Sequence, residues 1–164
     1  MGEDVASAPT PSQTVGPFFG FALPFEDSEE ALAAGAKGTV RIEGQLLDGA
    51  GQPVPDGLIE IWAGSDFARS RTDPEGAYHV VVRKPAALPP HAPHLNLTVF
   101  ARGLLRQLSS RVYFPEEKTA NAADPVLARV EPGRRGTLIA RRDGEVLHFD
   151  IRLQGEGETV FFRL

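Results

Sequence analysis

The 164-residue sequence contains no cysteine, which excludes disulfide bonds and thiolate metal sites. This composition suits a reducing compartment. Residues that could act as acid–base groups or as nitrogen and phenolate ligands are also few, since the chain has four histidines and two tyrosines. The sequence lacks a glycine-rich phosphate loop, a nucleophile elbow and a carboxylate pair within a catalytic motif. Any catalytic or metal site must therefore come from a small set of candidates.

Long apolar runs are missing as well, and none approaches the roughly 20 residues that span a membrane. Met1 is followed by a glycine and two acidic residues, without the basic and apolar regions of a signal peptide. The net charge of −5 disfavours nucleic acid as a partner. We therefore expect a cytoplasmic protein that binds neither a membrane nor nucleic acid.

Hydrophobic residues are present with a period of two along most of the chain, which is the pattern of half-buried strands. The clearest example runs from Leu147 to Leu153, where every second residue is apolar. The same alternation occurs at residues 40–46, 58–62, 78–83 and 95–99. With turn signals between these segments, the pattern predicts an all-β fold, a β-sandwich of about 8 short, mostly antiparallel strands with very little helix.

Local signals add detail to this prediction. Asp143 and Gly144 separate two alternating segments and predict a two-residue hairpin turn. Residues 27–35 begin with an N-cap candidate and end with a glycine, which predicts a short surface helix. Residues 116–128 are expected to form one or two helical turns interrupted by a proline. The proline-rich residues 84–93 are expected to form a stiff, extended connection.

The stretch from Thr10 to Phe25 is the most unusual part of the sequence, because three prolines and two glycines accompany four phenylalanines. This density of proline and glycine argues against a helix and against a central strand. The phenylalanines make the stretch too apolar for a disordered tail. We predict an extended arm that is covered by its own domain or by a partner. The expected organisation is an arm with a short helix (1–39), which docks on a partner, and a β-sandwich (40–164).

The histidines give weak evidence for a site. His91 and His94 lie three residues apart, a spacing compatible with a metal site but explained more simply by a loop histidine and a histidine at the start of a strand. His79 and His148 fall on the polar faces of predicted strands and are expected to face solvent.

Tyr78 and Tyr113 fall inside strand patterns, where packing in the core is the expected role. Arg102 follows the end of an apolar strand and precedes Gly103. From such a position a guanidinium can reach a pocket and pair with a carboxylate through two parallel hydrogen bonds. On the residues alone, an ordinary surface arginine is the simpler interpretation of Arg102.

Five segments, in this order, resemble those of one protein family. They are TPSQTVGPFF, IEIWAGSDF, APHLNLTVFARGL, SRVYFPEE and RRGTLIARRDGEVLHFDIRLQGEGETVFF. On these segments the chain resembles the intradiol ring-cleaving dioxygenases, and within that family the alpha subunits of its two-subunit enzymes. The resemblance extends from about Thr10 to Phe162. Two connections, between Trp62 and Arg69 and between Val82 and His94, are shorter than the family pattern.

The resemblance implies a non-haem ferric ion held by two tyrosinates and two histidines, at which dioxygen opens a catechol ring between its hydroxyl-bearing carbons. Anionic phenolate ligands suit the ferric state. His94 matches one ligand histidine, whereas Asn96 stands at the position of the second. Residues 63–71 and 84–93, where the family pattern expects the ligand tyrosines in loops, contain none. The resemblance therefore implies that this chain alone has no catalytic residue and no iron, and that a partner beta subunit holds the Fe(III).

The resemblance also implies that this chain contributes to the partner's active site. Thr14, Gly16 and Pro17 match arm residues that line the beta subunit's pocket in the family. Arg102 matches an arginine near that pocket, where its charge suits a small aromatic acid that reacts with O2. Two other interpretations are a stand-alone β-sandwich binding module, which leaves the phenylalanines exposed, and a homomeric dioxygenase with an unusual ligand set.

Overall fold

A computed structural model of the chain describes residues 16, 18–32 and 36–163, and this part contains nine strands in two sheets. The strands are β1 (Thr39–Leu47), β2 (Leu58–Ala63), β3 (Asp66–Arg71), β4 (Ala77–Arg83), β5 (His94–Phe100), β6 (Leu108–Tyr113), β7 (Arg141–Asp143), β8 (Val146–His148) and β9 (Ile151–Arg152). The helices are α1 (Phe19–Ala22), α2 (Lys118–Ala123), α3 (Pro125–Arg129) and a 3₁₀ helix at Pro132–Leu138. The predicted β-sandwich is confirmed.

The two sheets pack around one core. One sheet has the order β4–β1–β8–β7, with β9 also paired to β1, and the other has the order β3–β2–β5–β6. The pairs are antiparallel except for β1 with β8 and β1 with β9. The apolar residues of the alternating pattern face inwards, and the core includes Ile42, Leu46, Ile59, Ile61, Val80, Leu95, Leu97, Val99, Leu147 and Ile151.

A smaller apolar cluster lies beside β6 and is closed by the helices. It contains Ala92, Tyr113, Leu127, Val130 and Leu138. The helical turns predicted for residues 116–128 are confirmed, and the proline of that segment begins α3. Within the described ranges, no helix is long and apolar enough to cross a membrane.

The prediction that the arm excludes a helix is wrong for Phe19–Ala22, which form the single turn α1. Phe19 is 3% exposed, and its ring centroid lies 6.1 Å from that of Phe100 at the end of β5. Phe18 and Phe21 face outwards, with ring centroids 4.7 Å apart. Packing of Phe19 on the sheet stabilises a turn that its sequence alone would not favour.

The helix predicted for residues 27–35 is absent from the described part of that segment, 27–32. Asp27 has φ of +55°, which a helix N-cap does not adopt. The carbonyl of Glu29 accepts a hydrogen bond from Val81 N at 2.8 Å, and the carbonyl of Ser28 accepts one from Arg69 N at 2.6 Å. The segment therefore bridges the edge strands β3 and β4. Hydrogen bonds with the otherwise unpaired backbone groups of those edges take the place of helical hydrogen bonds.

Residues 63–71, predicted to be a loop, contain β3, which pairs with β2 throughout its length. Its polar composition is that of an exposed edge strand, so the alternation that marks the other strands is weak. The hairpin at residues 143 and 144 is confirmed one residue later than predicted, because Asp143 pairs with Val146 and the loop is Gly144–Glu145. The strand predicted for 147–153 is interrupted between β8 and β9.

The connection at residues 84–93 is less extended than predicted. It joins β4 to β5 as expected, but it folds back on itself at the bridge between Leu88 and His91. The amide of His91 donates to the carbonyl of Leu88 at 2.8 Å. Proline fixes backbone dihedrals without excluding a tight turn, so a proline-rich segment need not run straight.

Candidate functional site

The residues singled out from the sequence lie at opposite ends of β5. His94 is the first residue of this strand, and Arg102 follows its last residue, Phe100, by two positions. Seven strand residues span about 20 Å. The structure therefore separates the family's ligand position from the arginine, and the two do not belong to one site within this chain.

Arg102 is held by a carboxylate from the turn before β2. Its Nε atom forms an ion pair with Oδ2 of Asp56. The Arg102 side chain is 63% exposed, whereas that of Asp56 is only 15% exposed. Arg102 makes no other ion pair or hydrogen bond through its side chain that involves residues 16, 18–32 or 36–163. The two terminal nitrogens of the guanidinium are therefore available to an anionic ligand.

The arm reaches the same end of the sheet. A Cβ atom added to Gly20 in α1 would lie 3.6 Å from Arg71 Nε and 3.9 Å from the carbonyl oxygen of Asp56. Gly16 precedes this helix with φ of +71°, a left-handed conformation that favours glycine. The structure thus brings α1 next to the turn that holds Arg102. Thr14 and Pro17 lie outside the described residues.

An open cavity of about 680 Å³ lies beside Arg102. Two arginines, Arg71 and Arg102, and two aspartates, Asp56 and Asp73, line it. Their formal charges cancel, but Oδ1 of Asp73 accepts hydrogen bonds from the amides of its own turn at 2.8 and 2.9 Å. The guanidinium groups of Arg71 and Arg102 therefore carry the positive charge at this end of the sheet.

At the other end of β5, His94 is a packed residue. Its Nδ1 atom lies 2.8 Å from the carbonyl oxygen of Ala92, and its ring centroid is 5.6 Å from that of Tyr113. Burial lowers the pKa of His94. A neutral ring that donates from Nδ1 to Ala92 leaves the electron pair on Nε2, as a metal-ligating histidine does.

Both tyrosine hydroxyls are hydrogen-bonded to other residues of the chain. The hydroxyl of Tyr113 donates to Oδ1 of the buried Asp124 at 3.1 Å, and burial raises the pKa of Tyr113 to about 12. The hydroxyl of Tyr78 donates to the carbonyl of Phe149 at 2.6 Å, and burial raises its pKa too. The prediction that both tyrosines pack in the core is confirmed.

These donors do not fit a ferric ion held by two tyrosinates and two histidines. Asn96 occupies the second histidine position and its side chain is exposed on the face that carries His94. Both phenols are kept in the neutral form by burial. No group of three or more histidine, aspartate or glutamate side chains with metal-binding geometry occurs in the described part of the chain.

Sequence reasoning missed the roles of two acidic residues, Asp56 and Asp124, and one group of polar residues on neighbouring strands. Asp56 lies in a Pro-Asp-Gly turn, so its sequence context indicates only a turn role. His79 and His148 lie on either side of Glu43 in adjacent strands and are half-buried, not fully solvated as expected. Asp124 accepts amide hydrogen bonds from Ala92, Val126 and Leu127.

Comparison with known proteins gives close relatives. The chain is 39% identical over 198 aligned positions to the protocatechuate 3,4-dioxygenase alpha chain of Burkholderia cepacia, covering 93% of this chain and 96% of the relative. It is 41% identical over 191 positions to the alpha chain of Pseudomonas putida, covering 93% and 95%. This chain belongs to the protocatechuate 3,4-dioxygenase alpha-chain family. The resemblance seen in the sequence is confirmed.

More distant matches agree with this family. The beta chain of the same enzyme from Burkholderia cepacia is 27% identical over 147 positions, covering 73% of this chain and 59% of the relative. No family model matches the chain. Both alpha-chain alignments are longer than the 164 residues of this chain, so those relatives contain segments that it lacks. This agrees with the shortened connections inferred from the sequence.

Solved structures share the fold. The dioxygenase domain of a dioxygenase carbohydrate-binding protein fusion from Streptomyces sp. SirexAA-E superposes with a TM-score of 0.63 at 22% identity, covering 90% of this chain and 99% of that domain. An intradiol ring-cleavage dioxygenase from Tetranychus urticae gives a TM-score of 0.54 at 12% identity, covering 76% and 83%. The comparisons favour a dioxygenase subunit over a stand-alone binding module.

Proposed function

We propose that this chain is the alpha subunit of a protocatechuate 3,4-dioxygenase and acts with an iron-bearing beta subunit. The complex cleaves protocatechuate with O2 to 3-carboxy-cis,cis-muconate, within aromatic catabolism. The observation that carries the proposal is the 39% and 41% identity to two alpha chains over 93% of this chain. A cytoplasmic location agrees with the absence of cysteine.

We assign the ferric ion to the beta subunit. The ferric ion would activate the catechol for reaction with O2. In this chain both tyrosine hydroxyls are hydrogen-bonded to buried acceptors, and Asn96 replaces a histidine. The match to a beta chain supports a partner of related fold.

This chain's part in the reaction is to bind and orient the substrate. The arm (residues 1–39) docks on the partner, with Thr14, Gly16 and Pro17 on the wall of the shared pocket, and the sandwich (40–164) supports it. The contacts of α1 with Phe100 and with the Asp56 turn support this arrangement, because they hold the arm beside Arg102. Arg102 supplies positive charge for the ring carboxylate, which a planar guanidinium binds through two nitrogens.

The proposal is tested by producing the chain alone, the beta subunit alone and the two together. We expect the isolated chain to be free of iron and to lack the visible absorption of tyrosinate bound to Fe(III). We expect the complex to show that absorption and to consume O2 with protocatechuate. A visible band in the isolated chain would contradict the assignment of the iron. A complex that forms but leaves the beta subunit's activity unchanged would contradict the shared pocket.

A further inference from the structure

We propose that Asp56 is a positioning residue, which fixes the guanidinium of Arg102 through Nε and so leaves both terminal nitrogens for the carboxylate of the substrate. This inference rests on the proposed function, because that function places Arg102 in the shared pocket. Asp56 itself does not contact the substrate in this proposal.

Asp56 is suited to this role because its turn is tightly held. The amide of Gly57 donates to Oγ1 of Thr72 at 2.8 Å, and the amide of Thr72 donates back to the carbonyl of Gly57 at 3.0 Å. The hydroxyl of Thr72 also donates to the carbonyl of Val54 at 2.7 Å. The carboxylate of Asp56 is thus carried on a rigid support. Its Oδ1 atom is buried without a hydrogen-bond partner in the described part of the chain, so Arg102 is its principal partner.

Arg102, in contrast, has little other support. Its side chain is 63% exposed. The next residue, Gly103, has φ of +82°, so Arg102 lies in a turn. An exposed arginine has many rotamers, and binding a ligand would have to select one of them. The pair with Asp56 makes this selection before the substrate arrives. A guanidinium that is already oriented binds a planar carboxylate more tightly.

Asp56 also has an opposing effect, since its negative charge repels a substrate carboxylate. Water around the exposed Arg102 screens this repulsion, whereas the loss of rotamer freedom is not screened. We therefore expect orientation to outweigh repulsion. The two effects predict opposite outcomes when the carboxylate is removed, which makes the inference testable.

The experiment uses the complex with the beta subunit and four forms of this chain: the natural chain, Asp56→Ala, Arg102→Ala and the double variant. We expect Arg102→Ala to raise KM for protocatechuate about tenfold with little change in kcat, as loss of a charge-assisted pair implies. Asp56→Ala should raise KM about threefold, and the double variant should match Arg102→Ala, because Asp56 acts through Arg102. Glu145→Gln, on the exposed β7–β8 turn, is the charge-matched control and should leave KM unchanged.

A binding measurement separates orientation from turnover. The dissociation constant of 4-hydroxybenzoate, which keeps the carboxylate but is not a catechol, should rise in the same order. That of phenol, which lacks the carboxylate, should stay constant. Asp56→Asn keeps an oxygen that can accept a weaker hydrogen bond from Nε, so it should give intermediate values. This variant also carries the test if Asp56→Ala lowers the melting temperature of the chain.

The outcomes are distinguishable. Tighter binding of 4-hydroxybenzoate in either Asp56 variant would show that repulsion dominates and would overturn the inference. If Asp56→Ala raised KM by the same factor in the Arg102→Ala background as in the natural chain, the inference would also be overturned, since Asp56 would then act independently of Arg102. Unchanged constants in Arg102→Ala would remove Arg102 from the pocket and with it that part of the proposed function. If Arg102→Ala weakened binding but both Asp56 variants left the constants unchanged, the inference about Asp56 would be overturned while the proposed function would stand.

Discussion

Glu116 shows how single residues join distant parts of this chain. Its carboxylate lies 2.9 Å from Nζ of Lys84, just after β4, and 2.9 Å from Nη2 of Arg142 in β7. Burial alone would raise the pKa of Glu116, but the hydrogen bonds from these two cations outweigh it and lower the pKa to about 2. The charged form of Glu116 is therefore favoured by folding.

We expect this group to contribute to acid sensitivity. Since the folded pKa lies below the ordinary value of 4.5, the contribution is complete above pH 4.5 and is lost as the pH falls towards 2. Its size is about 1 kcal/mol, because the side chain is over one-third exposed and the pairs are screened. Urea unfolding should show that Glu116→Gln is less stable than the natural chain at pH 7 and that the difference shrinks towards pH 2. A constant difference, or an equal loss in the exposed Glu145→Gln, would contradict this.

At the residue scale, the sequence singles out residues whose type is informative, such as an arginine at a strand end, but not residues whose role depends on their surroundings in the fold. Arg102 stands out at a strand end, and the replacement of a ligand histidine by Asn96 is visible in the sequence once the resemblance is recognised. Asp56 is not distinguishable from an ordinary turn residue, because its pairing with Arg102 depends on two turns that are far apart in the chain.

At the scale of elements, Gly44 marks a close approach of β1 to the backbone between β8 and β9. A Cβ atom at residue 44 would clash with the carbonyl oxygen of Phe149, which also accepts a hydrogen bond from the hydroxyl of Tyr78. The amide of Phe149 donates to the carbonyl of Glu43 at 2.8 Å. β1 can therefore pair with both short strands only because it carries no side chain at this position.

We expect Gly44→Ala to destabilise the chain by about 3 kcal/mol, the upper range of the cost of overpacking, because the carbonyl of Phe149 must move. The melting temperature should fall by about 10 °C for a chain of this size. Gly133→Ala is the matched control, since a Cβ at that position meets no atom within 4 Å. Equal melting temperatures of the two variants would show that β9 adjusts freely.

The strands were predictable where one face of the strand is buried, because alternating apolar and polar residues indicate such a strand directly. β5 alternates as expected, with Leu95, Leu97 and Val99 all nearly inaccessible. Two elements at the sheet edges were not predictable in the same way. β3 and residues 27–32 are ordered by backbone pairing along an edge, and no hydrophobic pattern reports such pairing.

At the scale of the whole molecule, the exposed apolar residues concentrate on the arm. Phe18, Phe21 and Phe25 are 63%, 62% and 59% exposed, whereas Phe19 is buried against the sheet. Aromatic side chains that face solvent in a cluster are typical of interfaces. Of the four phenylalanines in the described part of the arm, one therefore packs on the chain's own domain and three are exposed.

We expect Phe21→Ala to leave the melting temperature of the isolated chain within about 2 °C of the natural value, because this ring contributes little to the core. The dissociation constant for the beta subunit should rise about tenfold, as for an aromatic interface residue. Leu88→Ala is the control, since Leu88 is 73% exposed but lies on the β4–β5 connection, away from the arm. Unchanged binding by Phe21→Ala, measured by titration calorimetry, would rule out the arm as the docking element.

The separation of the two ends of β5 has a practical consequence for labelling. Because the chain has no cysteine, Asn96→Cys would introduce a single thiol, on an exposed position near the end that begins with His94. A fluorophore attached there would be rigidly supported by the strand and would not compete with ligands at Arg102. Energy transfer from this dye to one on a partner chain would then report assembly in real time, independently of turnover.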